Sequence, residues 1–262
     1  MKVVIAIDSF KGSMTSMQAG YAAKAGVLRA HPEAEVVVRP LADGGEGTTD
    51  ALVEGLGGIM RTLRVTGPLG NPVMASYGIL PESKTAVMEM AAAAGITLER
   101  EQHPLKATTY GVGEMIKDAI SQGCRNFIIG IGGSATNDGG IGMLQALGYT
   151  FLDSDGKTVE GGAGSLEKIA SVDDSQVAET LKMCNIQVAC DVNNPLCGPN
   201  GATYVYGPQK GVTGALLETV EQGMKNFAVV SADYLGKDFS EVPGTGAAGG
   251  MGFALLACLN GK

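Results

Sequence analysis

Unbroken apolar runs alternate with loops and helix-spaced segments from the first residue onward. Residues 3–7 (VVIAI) are continuous and largely β-branched, as in a strand buried on both faces. The loop DSFKGSMTS follows, and MQAGYAAKAGVLRA then predicts a helix that ends before His31-Pro32. Residues 35–39 (EVVVR) predict a second strand, which leads through PLADGGEGT into the helix TDALVEGL, closed by Gly57-Gly58. Strand, loop and helix in this order predict a parallel sheet covered by helices.

The pattern then changes. MRTLRVTGPLGNPVMASYGIL places turn signals at Gly67-Pro68 and Gly70-Asn71-Pro72 between short strand-like runs, which predicts antiparallel hairpins. Residues 65–67 are the candidate crossing between lobes. Residues 85–94 (TAVMEMAAAA) read as a strand running into a short helix, 110–121 as a helix, and 126–129 (NFII) as another buried strand. That strand enters GIGGSATNDGGIGM, six glycines in fourteen residues, before the helix GMLQALGY. Further on, 151–164 read as a surface loop or hairpin, 186–190 (IQVAC) as a strand, and 204–211 (YVYGPQKG) as a strand followed by a turn. A long helix over 213–235 and an apolar helix, GFALLACL, complete the chain.

Composition narrows the picture. Hydrophobic residues make up 45% and charged residues 18% of 262, which describes a folded globular chain. Glycine is in excess, 40 residues against the usual ~7%, without a collagen-like period. A net charge of −8 argues against nucleic acid as a partner, although backbone amides and a few lysines suit a small anion. Five cysteines without CxxC or zinc spacing point to reduced thiols and a cytoplasmic location. The N-terminal apolar run is cut by Asp8 and is too short for a signal peptide, and no run reaches the ~18 apolar residues of a membrane helix. The two histidines, His31 and His103, both precede prolines in loops, so the chemistry falls to Asp, Glu, Lys, Ser or Thr.

Three features share one structural address, the end of a strand where it enters a helix. They are Asp8-Ser9-Phe10-Lys11, then Asp43-Gly44-Gly45-Glu46-Gly47-Thr48, then Gly132-Gly133-Ser134 with Asn137-Asp138-Gly139-Gly140. Ligands of open α/β sheets bind where such loops converge, and glycine amides with helix N-termini can cradle an anion. The competing reading has Asp138 merely capping the next helix. No GK[ST] follows the glycines, nor is there a proper GxGxxG fingerprint, so neither a Walker loop nor a dinucleotide site is indicated. Phosphoryl transfer needs cations, a metal and a carboxylate; Lys11 and Lys210 are candidate cations, and Asp8, Asp43, Asp138 and Asp191 candidate carboxylates. For each lysine the alternative is a solvated surface residue.

IAIDSFKGS, PLADGGEGT, TGPLGNPV, AVMEMAAAAG, TTYGVGE, GIGGSATNDGGIGMLQALG, ACDVNNPLCGP, YGPQKG and PGTGAAGGMGFAL, in this order, resemble the type I glycerate kinase family. The resemblance implies ATP-dependent phosphorylation of glycerate, most often to 2-phosphoglycerate, with magnesium (Mg2+). It implies an α/β fold in which a Rossmann-like parallel-sheet lobe (residues 1–65 plus 244–262) carries a second, inserted α/β lobe (66–243), with the site in the cleft. The matching positions are Asp8, Ser9, Lys11, Asp43, Gly44, Gly45, Glu46, Ser134, Asn137, Asp138, Asp191 and Lys210. Lys11 and Lys210 would act on phosphate or carboxylate, Asp191 or Asp43 as base or metal ligand, and Gly132, Gly133, Gly139 and Gly140 within the anion cradle.

Family members run beyond the point at which this chain ends, so a shortened chain, a complementing polypeptide or a homo-oligomer is a further expectation. Two other readings stay open: a ligand- or partner-binding remnant without catalysis, and an unrelated α/β enzyme acting on a phosphorylated metabolite.

Overall fold

The computed structural model describes residues 1–8, 10, 13–41 and 47–262. β1 (Lys2–Ile7) pairs in parallel with β2 (Glu35–Pro40), from Lys2 opposite Glu35 to Ile7 opposite Pro40. Between them runs α1 (Ser16–Ala30), opened by a capping box in which Thr15 and Gln18 satisfy each other's backbone amides. α2 (Thr48–Leu56) follows and stops at Gly57, whose φ of 69° is the left-handed geometry of a helix C-terminus.

A five-stranded sheet forms the centre. β3 (Ile59–Thr66) and β4 (Pro72–Leu80) make the hairpin signalled by the Gly-Pro punctuation, with Gly67 N–H donating to Asn71 O at 2.7 Å. β5 (Thr85–Glu89) is antiparallel to β4 and leads into α3 (Ala91–Ala94) and α4 (Tyr110–Ser121). β6 (Asn126–Gly130) lies parallel to β5 and precedes α5 (Ile141–Ala146). β7 (Thr150–Leu152) and β8 (Ser171–Asp173) form a separate antiparallel ribbon. α6 (Glu179–Lys182) then delivers the chain to β9 (Asn185–Ala189), parallel to β6. The order is β3-β4-β5-β6-β9, a mixed sheet with a parallel half.

The apolar character of 85–94 and 126–129 is explained by burial. Met88, Met90, Phe127 and Ile129 are all sealed from solvent, joined by Met115 and Ile116 of α4 and Ile141 and Met143 of α5. Across this core Phe227, from α8 (Ala215–Leu235), meets Phe151 and Phe253 edge to face, with centroids 5.9 and 5.5 Å apart. A bidentate bond from Arg61 of β3 to Asp118 of α4, at 2.6 and 2.9 Å, locks the sheet edge, and Tyr77 O–H donates to the same carboxylate. α2 reaches across to this sheet because Gly78 of β4 has no side chain where Val53 is seated.

Two segments depart from expectation. Residues 204–211 are not a strand and turn: α7 (Ala202–Tyr206) precedes a 3-10 turn, Pro208–Lys210. The aromatic and β-branched YVY run carries strand propensity, but α7 is seated against both α8 and the C-terminal helix, and that packing outweighs the propensity. The C-terminal apolar helix, α9 (Ala247–Phe253), is broken at Ala248, Gly249 and Gly250, with φ of 54°, 67° and 90°, before a π-helical turn at Ala254–Cys258.

The two-lobe partition drawn from the sequence groups 244–262 with β1 and β2. In the structure Met251, Phe253, Ala254 and Leu255 share the core of the five-stranded sheet, and Lys262 exchanges backbone bonds with Ile186 and Val188 of β9. β3 and its residue Val65 likewise belong to the five-stranded sheet. Among the described residues, no helix is long and apolar enough to cross a membrane. Phe227→Ala is expected to lower unfolding free energy by about 3–5 kcal/mol in urea titrations, because it empties the centre of the aromatic cluster.

Candidate active site

The three parallel strands end in register. Glu89 of β5, Gly130 of β6 and Ala189 of β9 stand side by side, so the segments leaving them emerge at one edge of the sheet. The loop after β6 is woven into its neighbours there. Met90 N–H donates to Gly130 O at 2.8 Å, Ile96 N–H to Gly133 O at 2.9 Å, and Ala135 N–H to Ala94 O at 2.9 Å. Gly132 and Gly133 stay exposed, and Gly133 has φ 72°, a conformation that favours glycine.

Beyond Gly133 the chain turns inward. The Asp138 carboxylate is completely buried and accepts from Thr109 N–H and Oγ1–H, at 2.8 and 2.9 Å, and from the amides of Gly140 and Gly142, at 3.1 and 3.3 Å. Burial pushes its pKa up, and the four donors oppose that shift. Thr109 Oγ1 in turn accepts from Met143 N–H at 2.9 Å. Asp138 thereby fastens the amino ends of α4 and α5 together, as in the capping alternative. Gly139 and Gly140, at φ 63° and 81°, are buried beside it.

Lys210 is buried too, at 2% exposure, rather than being a solvated surface lysine. Its Nζ donates to Ser134 Oγ at 2.6 Å and to Thr136 O at 2.7 Å. Burial lowers its pKa to about 7, against the pull of Asp138. Asn137 is 1% exposed, and neither its Oδ1 nor its Nδ2 has a hydrogen-bond partner among the described residues. Ser134, Asn137, Asp138 and Lys210 are therefore gathered under the mouth of the sheet, with Gly132 and Gly133 above them.

Ser9, Lys11, Asp43, Gly44, Gly45 and Glu46 lie outside the described residues. The residues bordering them are informative. Phe10, Ser13 and Met14 from the first loop and Gly47 and Thr49 after the second line one cavity of about 740 Å³ together with Glu89. Asp8, half-buried, directly follows β1. Ala92 also borders that cavity, and its neighbour Ala91 lies under Gly133, which links the third loop to the other two.

Glu89 was not singled out by the sequence reading. It accepts from Thr49 N–H at 2.8 Å and Gly47 N–H at 3.4 Å, and its pKa is raised by burial against those two bonds. The available signal is a lone carboxylate in the apolar run TAVMEMAAAA. Asp191 is exposed just past β9. Among the described residues no three His, Cys, Asp or Glu side chains cluster as metal ligands. Magnesium bound with a nucleotide needs only one or two carboxylates beside phosphates and water, a demand that Asp191 and Asp43 meet in donor chemistry.

Parallel strands whose carboxyl ends meet at one sheet edge, beside an open cavity, are the arrangement of α/β enzymes that bind small molecules. The chain belongs to the glycerate kinase family, whose model matches residues 3–262. It is 47% identical over 261 residues to glycerate kinase of Bacillus subtilis (strain 168), covering 99% of this chain and 68% of that relative. To glycerate 2-kinase of Escherichia coli (strain K12) it is 47% identical over 264 residues, covering 100% of this chain and 69% of that one. The crystal structure described as glycerate kinase 2 from Salmonella typhimurium LT2 superposes with a TM-score of 0.97 at 45% identity, covering all of this chain and 71% of that one. The chain is accordingly an enzyme of the kinase class.

A buried lysine with a depressed pKa binds fewer protons folded than unfolded, so its contribution to stability rises with pH between about 7 and the ordinary lysine range. The stability difference between the parent and Lys210→Met is expected to shift in the parent's favour by about 1 kcal/mol per pH unit from pH 7 to 9, read from urea titrations. A pH-independent difference would contradict a neutral buried lysine.

Proposed function

We propose that the chain transfers the γ-phosphoryl group of ATP to D-glycerate, giving 2-phosphoglycerate, with magnesium as the metal. The observation that carries this reading is the alignment of Glu89, Gly130 and Ala189 at one sheet edge, beside a cavity bordered by the first two loops. Its size suits a small organic acid and the phosphates of a nucleotide. Family membership supplies the reaction class, and the relatives named glycerate kinase supply the substrate.

The reaction is an in-line displacement. The 2-hydroxyl oxygen of glycerate forms a bond to the γ-phosphorus, the bond from that phosphorus to the β–γ bridging oxygen breaks, and ADP leaves. The hydroxyl proton passes to a carboxylate, for which Asp191 and Asp43 are the candidates. Lys11 supplies positive charge to phosphate or to the glycerate carboxylate. The exposed residues Gly132 and Gly133 would provide amide donors at the carboxyl end of β6, and Ser134, Asp138 and Lys210 hold that loop from below. Bound magnesium, held by Asp191 or Asp43, would neutralise charge building on the phosphates. We place the activity in the cytoplasm, in keeping with five free cysteines.

A coupled ADP-release assay with D-glycerate and Mg-ATP tests the reading, with the product identified by phosphorus NMR. Turnover to 2-phosphoglycerate is expected, with Lys11→Ala and Asp191→Asn each losing about 100-fold or more in kcat. Folded chain that binds Mg-ATP without releasing ADP would favour the binding reading instead. Turnover that survives both substitutions would overturn the residue roles.

A further inference from the structure

Among the described residues, helix α2 begins without a side-chain cap from its own N-cap position. Gly47 occupies the N-cap position at φ 91° and has no side chain with which to accept from the first turn. The opening amides of a helix need acceptors, and for Thr49 the acceptor comes from 40 positions further along the chain. Glu89 Oε1 takes Thr49 N–H at 2.8 Å, and Oε2 takes Gly47 N–H at 3.4 Å, so each carboxylate oxygen holds one amide. The helix dipole favours a negative group at this end.

The position of Glu89 gives the bond a purpose beyond capping. It is the last residue of β5: Thr85, Ala86, Val87 and Met88 before it are buried, and Glu89 alone stands half-exposed at the mouth. Gly47 is the residue that directly follows the glycine-rich segment 42–46. One side chain thus joins the exit of the second loop to the strand end beside Gly130, the start of the third loop. The α2 body is held separately, by Val53 over Gly78, and the residue just past its end, Gly58, lies close to Leu80. Loss of the Glu89 bonds would therefore loosen the loop exit and leave the rest of the helix seated.

We propose that Glu89 is a positioning residue of the kinase site, which fixes the amino end of α2, at Gly47 and Thr49, to the carboxyl end of β5; this rests on the function proposed above. Each of its oxygens accepts from one backbone amide, and through those two bonds it holds the amino end of α2 beside the cavity. Displacing residues that border the site by about 1 Å costs transition-state geometry, and the loss appears in kcat.

Backbone amide exchange resolved at Gly47 and Thr49, alongside steady-state kinetics, tests this on the parent, Glu89→Ala and Glu89→Gln. The alanine variant is expected to exchange the Thr49 amide at least about tenfold faster, with Ile129 in the core unchanged, because an unpartnered helix-start amide is open to water. Its kcat should fall by about 30-fold or more with KM for glycerate within about threefold. Glutamine, which keeps an acceptor for Thr49, should retain Thr49 protection and lose less than about fivefold in kcat. Unchanged Thr49 exchange in the alanine variant overturns the proposal, as does a glutamine variant as inactive as alanine with Thr49 still protected. If the parent itself shows no turnover, the kinase reading fails, and the exchange result still decides whether Glu89 anchors the amino end of α2.

Discussion

A carboxylate with no access to water has to be surrounded by donors, and Asp138 is such a group. Isolated in an apolar interior its charge would cost many kcal/mol, so the chain bends to supply four N–H and O–H groups from two separate segments. Meeting that demand forces the amino ends of α4 and α5 together. It also draws the segment after β6 inward, and Gly139 and Gly140 permit the turn by adopting positive φ. Everything at the mouth of the sheet is built on this fixed point.

The consequence is a division of labour within one loop. Its outer part, Gly132 and Gly133, faces solvent with backbone exposed, while its inner part is held by Asp138 and by the Lys210 bonds to Ser134 and Thr136. Preorganised amides stabilise charge only if they do not have to move when it develops, so interior rigidity is the physical precondition for an anion cradle. The Asn137 amide in the same segment, without a partner among the described residues, carries a desolvation cost that packing alone does not explain. Glu89 performs the corresponding task at the amino end of α2, through Gly47 and Thr49.

Much of this was legible in the sequence, and the remainder was hidden for specific reasons. Apolar runs marked β5 and β6 because those strands are largely buried. β1, read from its run as buried on both faces, instead alternates between exposed and half-buried positions, and β2 and β9 are also partly exposed. Glycine and proline marked the β3–β4 turn. The strand-end address of the three loops followed from the alternation of elements. By contrast, the burial of Lys210 depends on Ser134, which lies 76 positions away, and no local pattern encodes such a pairing. Glu89 was passed over because a single acid at a strand end is as consistent with solvent as with a cross-chain cap. The YVY run misled because its β propensity is overridden once α7 has α8 and α9 to lean on.

The most direct measurement is a crystal structure of the chain with D-glycerate, magnesium and a non-hydrolysable ATP analogue. The account predicts both ligands at the carboxyl edge of β5, β6 and β9, with phosphate density against the Gly132-Gly133 amides and the cavity that Glu89 and Gly47 border. Ligands seated elsewhere would contradict it, for instance in the separate 770 Å³ groove bordered by Lys106, Tyr110 and Tyr149. So would a saturated crystal with that sheet edge empty.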